Sequence, residues 1–269
     1  MFGVLKSQLR DKYKALLILA GTSLAFTEVY LILYPTVRDS AVQLKELFKI
    51  YPESFFKAFG LDMAMLTFAK VEYFLSSEVF SVIWPILVIV FAIQLANAAF
   101  VSEVEDATIE LTLSQPIARL KLFATRYLGG ALLMAAFTAI TVGGVIPLIM
   151  LHGFNYMPGN FWLLAVIGFL FGLSIYSVAV FFSVLYSQKS WSTITTSGIL
   201  ITMYVADIAA GLKTELENIQ YVSFFHYFVG ATILGKGMVV DYTYPVFLGV
   251  TVVFALLAAV WFSWRDIAV

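Results

Sequence analysis

Cysteine is absent from this chain of 269 residues, and charged residues are scarce. The lack of thiols excludes disulfide scaffolds, thiolate nucleophiles and cysteine-ligated metal sites. Only 12% of the residues are charged and 61% are hydrophobic, whereas soluble domains have roughly 25% charged and 45–50% apolar residues. The net charge of −1 gives no support to nucleic-acid binding. The composition therefore predicts an integral membrane protein.

Sequence patterns of ATP binding and of hydrolysis are absent as well. The chain has no G-x-x-x-x-G-K-[ST] phosphate loop, which excludes ATP binding by that route. Gly235-Lys236-Gly237 is not such a loop because it lacks the upstream glycine. The two histidines, His152 and His226, have no carboxylate at helical spacing, so we interpret them as interfacial residues rather than ligands. No Ser/His/Asp set is visible, which disfavours a membrane-bound hydrolase.

Six hydrophobic runs are long enough to cross a membrane, which takes about 20 apolar residues. Because the runs are continuous and lack the alternation of barrel strands, they predict an all-α integral membrane protein with six transmembrane helices. The first run follows a basic N-terminus and has no small-x-small cleavage site, so we interpret it as a retained span. The predicted spans are 15–34, 80–101, 127–151, 161–186, 191–212 and 244–264.

The positions of lysine and arginine favour an N-terminus and a C-terminus that both face the cytoplasm. In that orientation, nine basic residues crowd the inner ends of the spans, and the other seven are spread over long outer segments. The nine inner residues are Lys6, Arg10, Lys12, Lys14, Arg119, Lys121, Arg126, Lys189 and Arg265.

Three segments outside the spans carry patterns of their own. Residues 1–14 are basic with interleaved apolar residues, which predicts an amphipathic helix at the inner interface. Residues 36–79 contain an amphipathic stretch on the outer side, either an interfacial helix or a stem packed on its neighbours. In 213–243, the apolar piece 221–234 is too short to span and is either re-entrant or surface-lying. Since no repeat or second soluble domain is visible, residues 1–269 are predicted to form a single transmembrane domain.

The most charged segment between two hydrophobic runs is residues 103–126. A charge at the centre of a bilayer costs roughly 2.5–3.5 kcal/mol on insertion scales. The segment is therefore predicted to be a solvated connection between the second and third spans. Its charged residues are Glu103, Glu105, Asp106 and Glu110, followed by Arg119, Lys121 and Arg126.

Within this segment, the pattern predicts a short helix, a break and a new long helix. Three of the acids, at i, i+3 and i+7, share one helical face. Pro116 ends the short helix because the residue before a proline is pushed out of the α region. Ser114 or Gln115 then caps the next helix, with Pro116 in its first turn. A solvated charged loop is the alternative.

The segment resembles the signature of type-2 ABC exporter permeases. Those membrane subunits carry Gly-Thr-x-Glu-x-Leu-Leu-(Ser/Thr)-x-Pro-(Ile/Val)-(Ser/Ala)-Arg between their second and third spans, and this chain has Ala-Thr-Ile-Glu-Leu-Thr-Leu-Ser-Gln-Pro-Ile-Ala-Arg at 107–119. Residues 262–267 also resemble their common ending, Phe-x-x-Arg-Asp-Ile. Ala107 departs from the pattern, which has glycine there. Because alanine is the better helix former, we expect it to extend the helix.

The resemblance implies a permease that pairs with a second copy or a sister subunit in the plasma membrane of a prokaryote. Each permease would dock a separate ATP-binding subunit on the cytoplasmic side through segment 103–121, the coupling segment. The chain itself is then not an enzyme and holds no cofactor, since ATP and Mg belong to the partner. The coupling residues that it implies are Glu103, Glu105, Asp106, Thr108, Glu110, Pro116 and Arg119.

Two acids lie inside predicted spans, Glu28 in the first and Asp207 in the fifth. An ionised carboxylate in hydrocarbon faces a cavity or a partner by default, so both are candidate pathway-lining residues. Local pairing or an interfacial position is the alternative for each. An ion-coupled secondary transporter or a channel that uses both acids is the rival function. Against that function, the sequence shows no repeat and no matching broken spans.

Small and uncharged polar residues also mark the spans. Gln94 and Asn97 in the second span predict hydrogen bonds between helices. Gly168-Phe-Leu-Phe-Gly172 in the fourth span is a small-xxx-small pattern, which permits close helix approach. That pattern serves either a dimer contact or internal packing.

Overall fold

The computed structural model describes residues 2–41, 50, 52, 55–56, 68–108 and 117–265. These residues are largely helical and include no strand, so the predicted all-α fold is confirmed. Among them, six helical stretches are long and apolar enough to cross a membrane. We number them as spans 1 to 6: Gln8–Asp39, Val71–Ala99, Arg119–Leu151, Pro158–Leu185, Lys189–Leu212 and Thr243–Trp264.

The spans and their connections are built from α-helices with short π and 3₁₀ stretches. The π-helical stretches are Ser76–Ile83 and Ala231–Gly235, and the 3₁₀ helix is Thr214–Val222. We call the side of the bundle that holds the N-terminus the termini side, and the opposite side the far side. The α-helices are α1 (Phe2–Asp39), α2 (Val71–Leu75), α3 (Trp84–Ala99), α4 (Val101–Glu105), α5 (Arg119–Gly143), α6 (Val145–Leu151), α7 (Pro158–Leu185), α8 (Lys189–Leu212), α9 (Phe224–Tyr227) and α10 (Thr243–Trp264).

Span 1 is part of one uninterrupted helix that begins at Phe2. Residues 2–14, which were expected to form an interfacial helix, are the first turns of the helix that contains the span. One face of this helix packs on spans 2 and 3. Its buried positions recur at helical spacing, at Leu16, Ala20, Ser23, Thr27 and Leu31.

Span 2 begins at Val71, before the predicted start at residue 80. Serines lower the hydropathy of this stretch, but their hydroxyl groups are satisfied inside the helix. Ser76 Oγ donates to the carbonyl of Tyr73 (2.9 Å), and Ser81 Oγ donates to the carbonyl of Ser76 (2.6 Å). Half of the predicted outer segment 36–79 lies outside the described residues.

Span 4 lies at the centre of the bundle, in contact with spans 2, 3, 5 and 6. A Cβ atom at Gly168 would lie 2.8 Å from Cη2 of Trp84, and one at Gly172 would lie 2.9 Å from Sδ of Met134. Trp84 also donates from Nε1 to Thr141 Oγ1 of span 3 (2.9 Å). The Gly168–Gly172 pattern is therefore used for internal packing.

The apolar piece of the last connection enters the bundle from the far side. Phe228 stacks on Phe171 of span 4, with ring centroids 4.6 Å apart, and on Trp84 of span 2, with centroids 5.3 Å apart. Phe224 and Ile233 are buried beside it. This piece thus packs between the spans and does not lie on the surface of the bundle.

Candidate functional site

Helix α4, the first part of the charged segment, ends in a left-handed residue. The amide of Thr108 donates to the carbonyl of Glu103 (2.9 Å), and that of Ala107 donates to the carbonyl of Val104 (3.2 Å). This pair of bonds is a Schellman motif, in which the left-handed position favours glycine. Ala107 occupies that position with φ 53°. The expectation that Ala107 extends the helix is wrong. The chain turns back at Ala107, and the amides of Ala107 and Thr108 cap the carbonyls of the last helical turn.

Glu103 is paired with a buried arginine of span 3. Arg126 Nη2 lies 2.6 Å from Glu103 Oε1, and Arg126 Nη1 donates to the carbonyl of Ala99 (2.8 Å). The carbonyl of Arg126 accepts a bond from Gln8 Nε2 of span 1 (3.0 Å). The side chain of Arg126 is only 6% exposed and that of Glu103 is 30% exposed, so removing Glu103 would leave a buried guanidinium without its carboxylate. The start of the charged segment is therefore fixed to spans 1 and 3.

The next two acids hold the first residue of span 5. Lys189 Nζ lies 3.3 Å from Asp106 Oδ1 and 3.6 Å from Glu105 Oε2. The backbone amide of Lys189 also donates to Glu105 Oε2 (3.1 Å). A carboxylate is favoured at this place because the N-terminus of a helix carries partial positive charge. Asp106 nevertheless stays 58% exposed and open to a partner from outside the chain.

Arg265 follows the end of span 6 on the termini side and forms hydrogen bonds to neighbouring parts of the bundle. Its guanidinium donates to the carbonyls of Val184 and Tyr186 (3.0 Å for Tyr186) and to Ser187 Oγ (2.6 Å). Its own carbonyl accepts a bond from Arg119 Nη1 at the start of span 3 (2.8 Å). Burial lowers the pKa of Arg265 from its ordinary value. The residue therefore joins spans 3, 4 and 6.

The predicted coupling residues that the structure describes all lie on the termini side, as a solvated connection requires. These are Glu103, Glu105, Asp106, Thr108 and Arg119. Glu110 and Pro116 lie outside the described residues. Because α4 ends at Glu105, its acids do not form the predicted helical face that was to include Asp106.

The long helix of span 3 begins at Arg119, with the extended Ala118 before it. The caps predicted for that helix at Ser114 or Gln115, with Pro116 in its first turn, are therefore wrong. The sequence had marked Arg126 and Lys189 only as basic residues at span ends, and Arg265 as such a residue and as part of the Phe-x-x-Arg-Asp-Ile ending. Their partners lie far away in sequence, and no spacing rule could have named them.

Glu28 meets a histidine on the far side. Glu28 Oε1 lies 2.9 Å from His152 Nε2, just beyond the end of span 3. The other carboxylate oxygen, Oε2, is buried and has no hydrogen-bond partner within the described part of the chain. The ring of His152 stacks on Phe154. The search for a carboxylate at helical spacing missed this partner of His152, because Glu28 comes from another span.

The second histidine lies among aromatic rings. The ring of His226 packs edge-on against Tyr221 and Tyr227, with centroids 5.3 and 4.9 Å away. Burial lowers the pKa of His226 from its ordinary value of 6.5, so the neutral form is favoured. Within the described residues, no group of three or more His, Asp or Glu side chains is placed to hold a metal ion.

Asp207 lies beside an apolar groove between spans 2 and 5. The groove has a volume of about 210 Å³, and Phe225 is among its lining residues. Tyr204 lines it, and Asp207 follows Tyr204 by one helical turn and is half-buried. Asp207 thus borders the groove without lining it. The groove is lined by Ser81, Val82, Pro85, Ile86, Ile89, Leu200, Ile201, Tyr204 and Phe225.

The two polar residues of span 2 differ in their surroundings. Asn97 Nδ2 donates to Thr193 Oγ1 (2.8 Å), and Asn97 Oδ1 accepts from Ser192 Oγ (2.7 Å), so the predicted bond to another helix is confirmed for Asn97. Gln94 lies on an exposed face of span 2, and its predicted hydrogen bond to another helix stays a prediction. The same face carries Val82, Ile86 and Val90.

Comparison with known proteins places the chain in a family. The sequence model of the ABC-2 family transporter protein matches residues 5–267. No curated protein and no solved structure matches the chain.

Proposed function

Since this chain belongs to the ABC-2 family of transporter proteins and is the membrane subunit of an ABC transporter, we propose that it forms the substrate pathway of an ATP-driven exporter. It acts as a dimer, with a second copy or a sister permease, and each permease docks one ATP-binding subunit. The termini side faces the cytoplasm of a prokaryote, and the spans cross its plasma membrane. ATP and Mg bind to the partner subunit, and this chain is not an enzyme.

The observation that carries the coupling proposal is the attachment of the charged segment to three spans. Glu103 is fixed to span 3 through Arg126, and Glu105 and Asp106 are fixed to span 5 through Lys189. The segment itself continues directly from span 2. A force applied to residues 103–108 is therefore passed to the ends of spans 2, 3 and 5 together. The exposed carboxylate of Asp106 leaves a surface on which a partner can press.

The pathway is proposed to run along span 2, between spans 1 and 5, which both contact it. Gln94 lies on the exposed face of span 2, and polar side chains at membrane depth face a bundle interior or a water-filled cavity by default. A second permease that covers this face supplies such an interior. The adjoining groove is lined almost entirely by apolar and aromatic side chains, which suits an apolar substrate such as a drug, a lipid-like molecule or a hydrophobic peptide.

The test is to isolate the tagged chain from its native membrane in mild detergent and to assay the eluate for bound proteins and ATPase activity. We expect an ATP-binding protein to co-purify with the chain in stoichiometric amount, and we expect the Asp106→Lys variant to lose it. The Asp241→Lys variant, which changes an exposed acid on the far side, is the matched control and should keep it. A homo-oligomer with no ATPase activity would overturn the proposal.

An ion-coupled carrier is the second candidate, favoured by one observation. The Oε2 atom of Glu28 is buried and has no hydrogen-bond partner in the described structure, beside the contact with His152. Such an oxygen is able to accept a proton or a cation during a transport cycle. Transport in liposomes that is driven by an ion gradient without ATP, and is abolished by an ionophore, would favour this candidate.

A further inference from the structure

The ion pairs and hydrogen bonds on the termini side connect spans 2 to 6 in a closed ring, which we call the circuit. Span 2 is joined to span 3 by Glu103 and Arg126, and to span 5 by Asp106 and Lys189. The connection before Lys189 is joined to span 6 by Arg265, which in turn is bonded to the start of span 3. The circuit therefore returns to span 3, and span 4 takes part through the carbonyl of Val184.

Arg265 is the member of this circuit with the most connections. Its guanidinium contacts one acceptor in span 4, the carbonyl of Val184, and two on the connection between spans 4 and 5, and its carbonyl accepts the bond from Arg119. The planar fork of arginine fits several acceptors at once, whereas lysine offers a point charge. Removing this side chain leaves the Glu103–Arg126 and Asp106–Lys189 links intact. Only the side-chain attachment of span 6 to the end of span 4 and to the connection between spans 4 and 5 is lost.

We propose that Arg265 is a positioning residue for the transport cycle, which makes spans 4 and 6 move together with the charged segment at 103–108. The inference rests on the proposed coupling to an ATP-binding subunit. With Arg265 in place, a displacement of 103–108 reaches spans 2 to 6 as one unit. Without it, span 6 keeps the bond from Arg119 to the carbonyl of residue 265, and it follows the movement of spans 2, 3 and 5 less closely. ATP is then hydrolysed with little transport.

The test compares transport per ATP hydrolysed in liposomes that contain the chain with its ATP-binding subunit. For Arg265→Lys and Arg265→Gln, we expect bound ATP-binding subunit and ATPase activity close to the wild type. The transport per ATP should fall roughly tenfold, a size typical of a single coupling contact. Arg38→Gln is the matched control, because Arg38 is an exposed arginine on the far side that pairs with its neighbour Asp39.

A rescue experiment separates positioning from folding. The natural chain has no cysteine, so a Ser187→Cys and Arg265→Cys double variant holds the only two thiols. A bis-maleimide as long as an arginine side chain should restore transport per ATP, and a mono-maleimide should not. Restoration supports the proposal even where the single variants are poorly folded.

The outcomes also separate this inference from the proposed function. A wild-type chain that binds no ATP-binding subunit overturns the proposed function and, with it, this inference. A coupled wild type whose Arg265→Lys variant transports equally well per ATP overturns the inference alone. The same holds if the variants lose ATPase activity in parallel with transport and the bis-maleimide restores neither.

Discussion

His152 Nε2 lies 2.9 Å from Glu28 Oε1 and so joins the far end of span 3 to span 1. Both side chains are partly exposed, at 27% for His152 and 37% for Glu28. On the termini side, span 1 is attached to span 3 by the bond from Gln8 to the carbonyl of Arg126. The two spans are thus linked by polar contacts at both ends, with a long apolar contact between them.

The first prediction concerns the coupling energy of this pair. In a double-mutant cycle of Glu28→Gln and His152→Phe, we expect a coupling of about 0.6 kcal/mol and at most about 1.7 kcal/mol, the average and the maximum measured for hydrogen bonds within membranes. Phenylalanine keeps the ring that stacks on Phe154. Thermal unfolding of the four proteins in detergent measures the coupling. Strictly additive effects would show that the contact contributes nothing to stability.

The second prediction concerns the left-handed residue after α4. Ala107→Gly should stabilise the protein by about 1 kcal/mol, because an L-residue with a Cβ atom is strained at positive φ and glycine is not. Ala98→Gly is the matched control: it lies in the regular helix of span 2, where glycine should destabilise by about 0.5–1 kcal/mol. Thermal unfolding of both variants measures the two changes in stability. Equal destabilisation by the two glycines would contradict the left-handed assignment.

The third prediction concerns Glu110, which the resemblance places in the coupling segment. Glu110→Arg should abolish binding of the ATP-binding subunit while membrane insertion stays intact, since reversing a charge at a docking surface opposes the complementary partner. Glu217→Arg, on the exposed 3₁₀ helix of the far side, is the control. Co-purification and ATPase stimulation are the measurements. Full stimulation of the Glu110→Arg complex would show that the coupling assignment is wrong.

The fourth prediction concerns the proposed pathway face. A Gln94→Cys chain, with a single thiol, should form a covalent dimer when a short bis-maleimide is added to native membranes. Leu256→Cys is the control because Leu256 is exposed on span 6, away from the proposed face, and it should stay monomeric. Gel electrophoresis separates the covalent dimer from the monomer for both variants. Cross-linking at residue 256 but not at residue 94 would move the dimer contact to span 6.

Local sequence rules predicted the features that depend on hydropathy and charge alone. The six spans follow from runs of apolar residues, and the solvated position of Glu105 and Asp106 follows from the cost of burying charge. The start of span 2 was placed too late, because hydropathy does not register serine hydroxyls that bond to the carbonyls of their own helix. The prediction from helix propensity likewise failed at Ala107, because the hydrogen bonds that cap the end of α4 determine its conformation.

Contacts between distant parts of the chain could not be predicted in this way. Glu28 of span 1 pairs with His152, which follows span 3, and Glu103 of α4 pairs with Arg126 of span 3. The sequence singled out the two acids, but nothing in it identified their partners. Only the packing of span 1 on span 3, and of span 3 on span 2, brings them within bonding distance.

The single helix of 38 residues from Phe2 to Asp39 is about 57 Å long at 1.5 Å per residue. A bilayer with its headgroups is about 40–45 Å thick. The helix is therefore longer than the membrane is thick, and a tilt of span 1 moves Phe2 farther than any residue within the hydrocarbon. A partner that binds the first turns of this helix therefore exerts a larger torque on the transmembrane part than one that binds closer to the membrane.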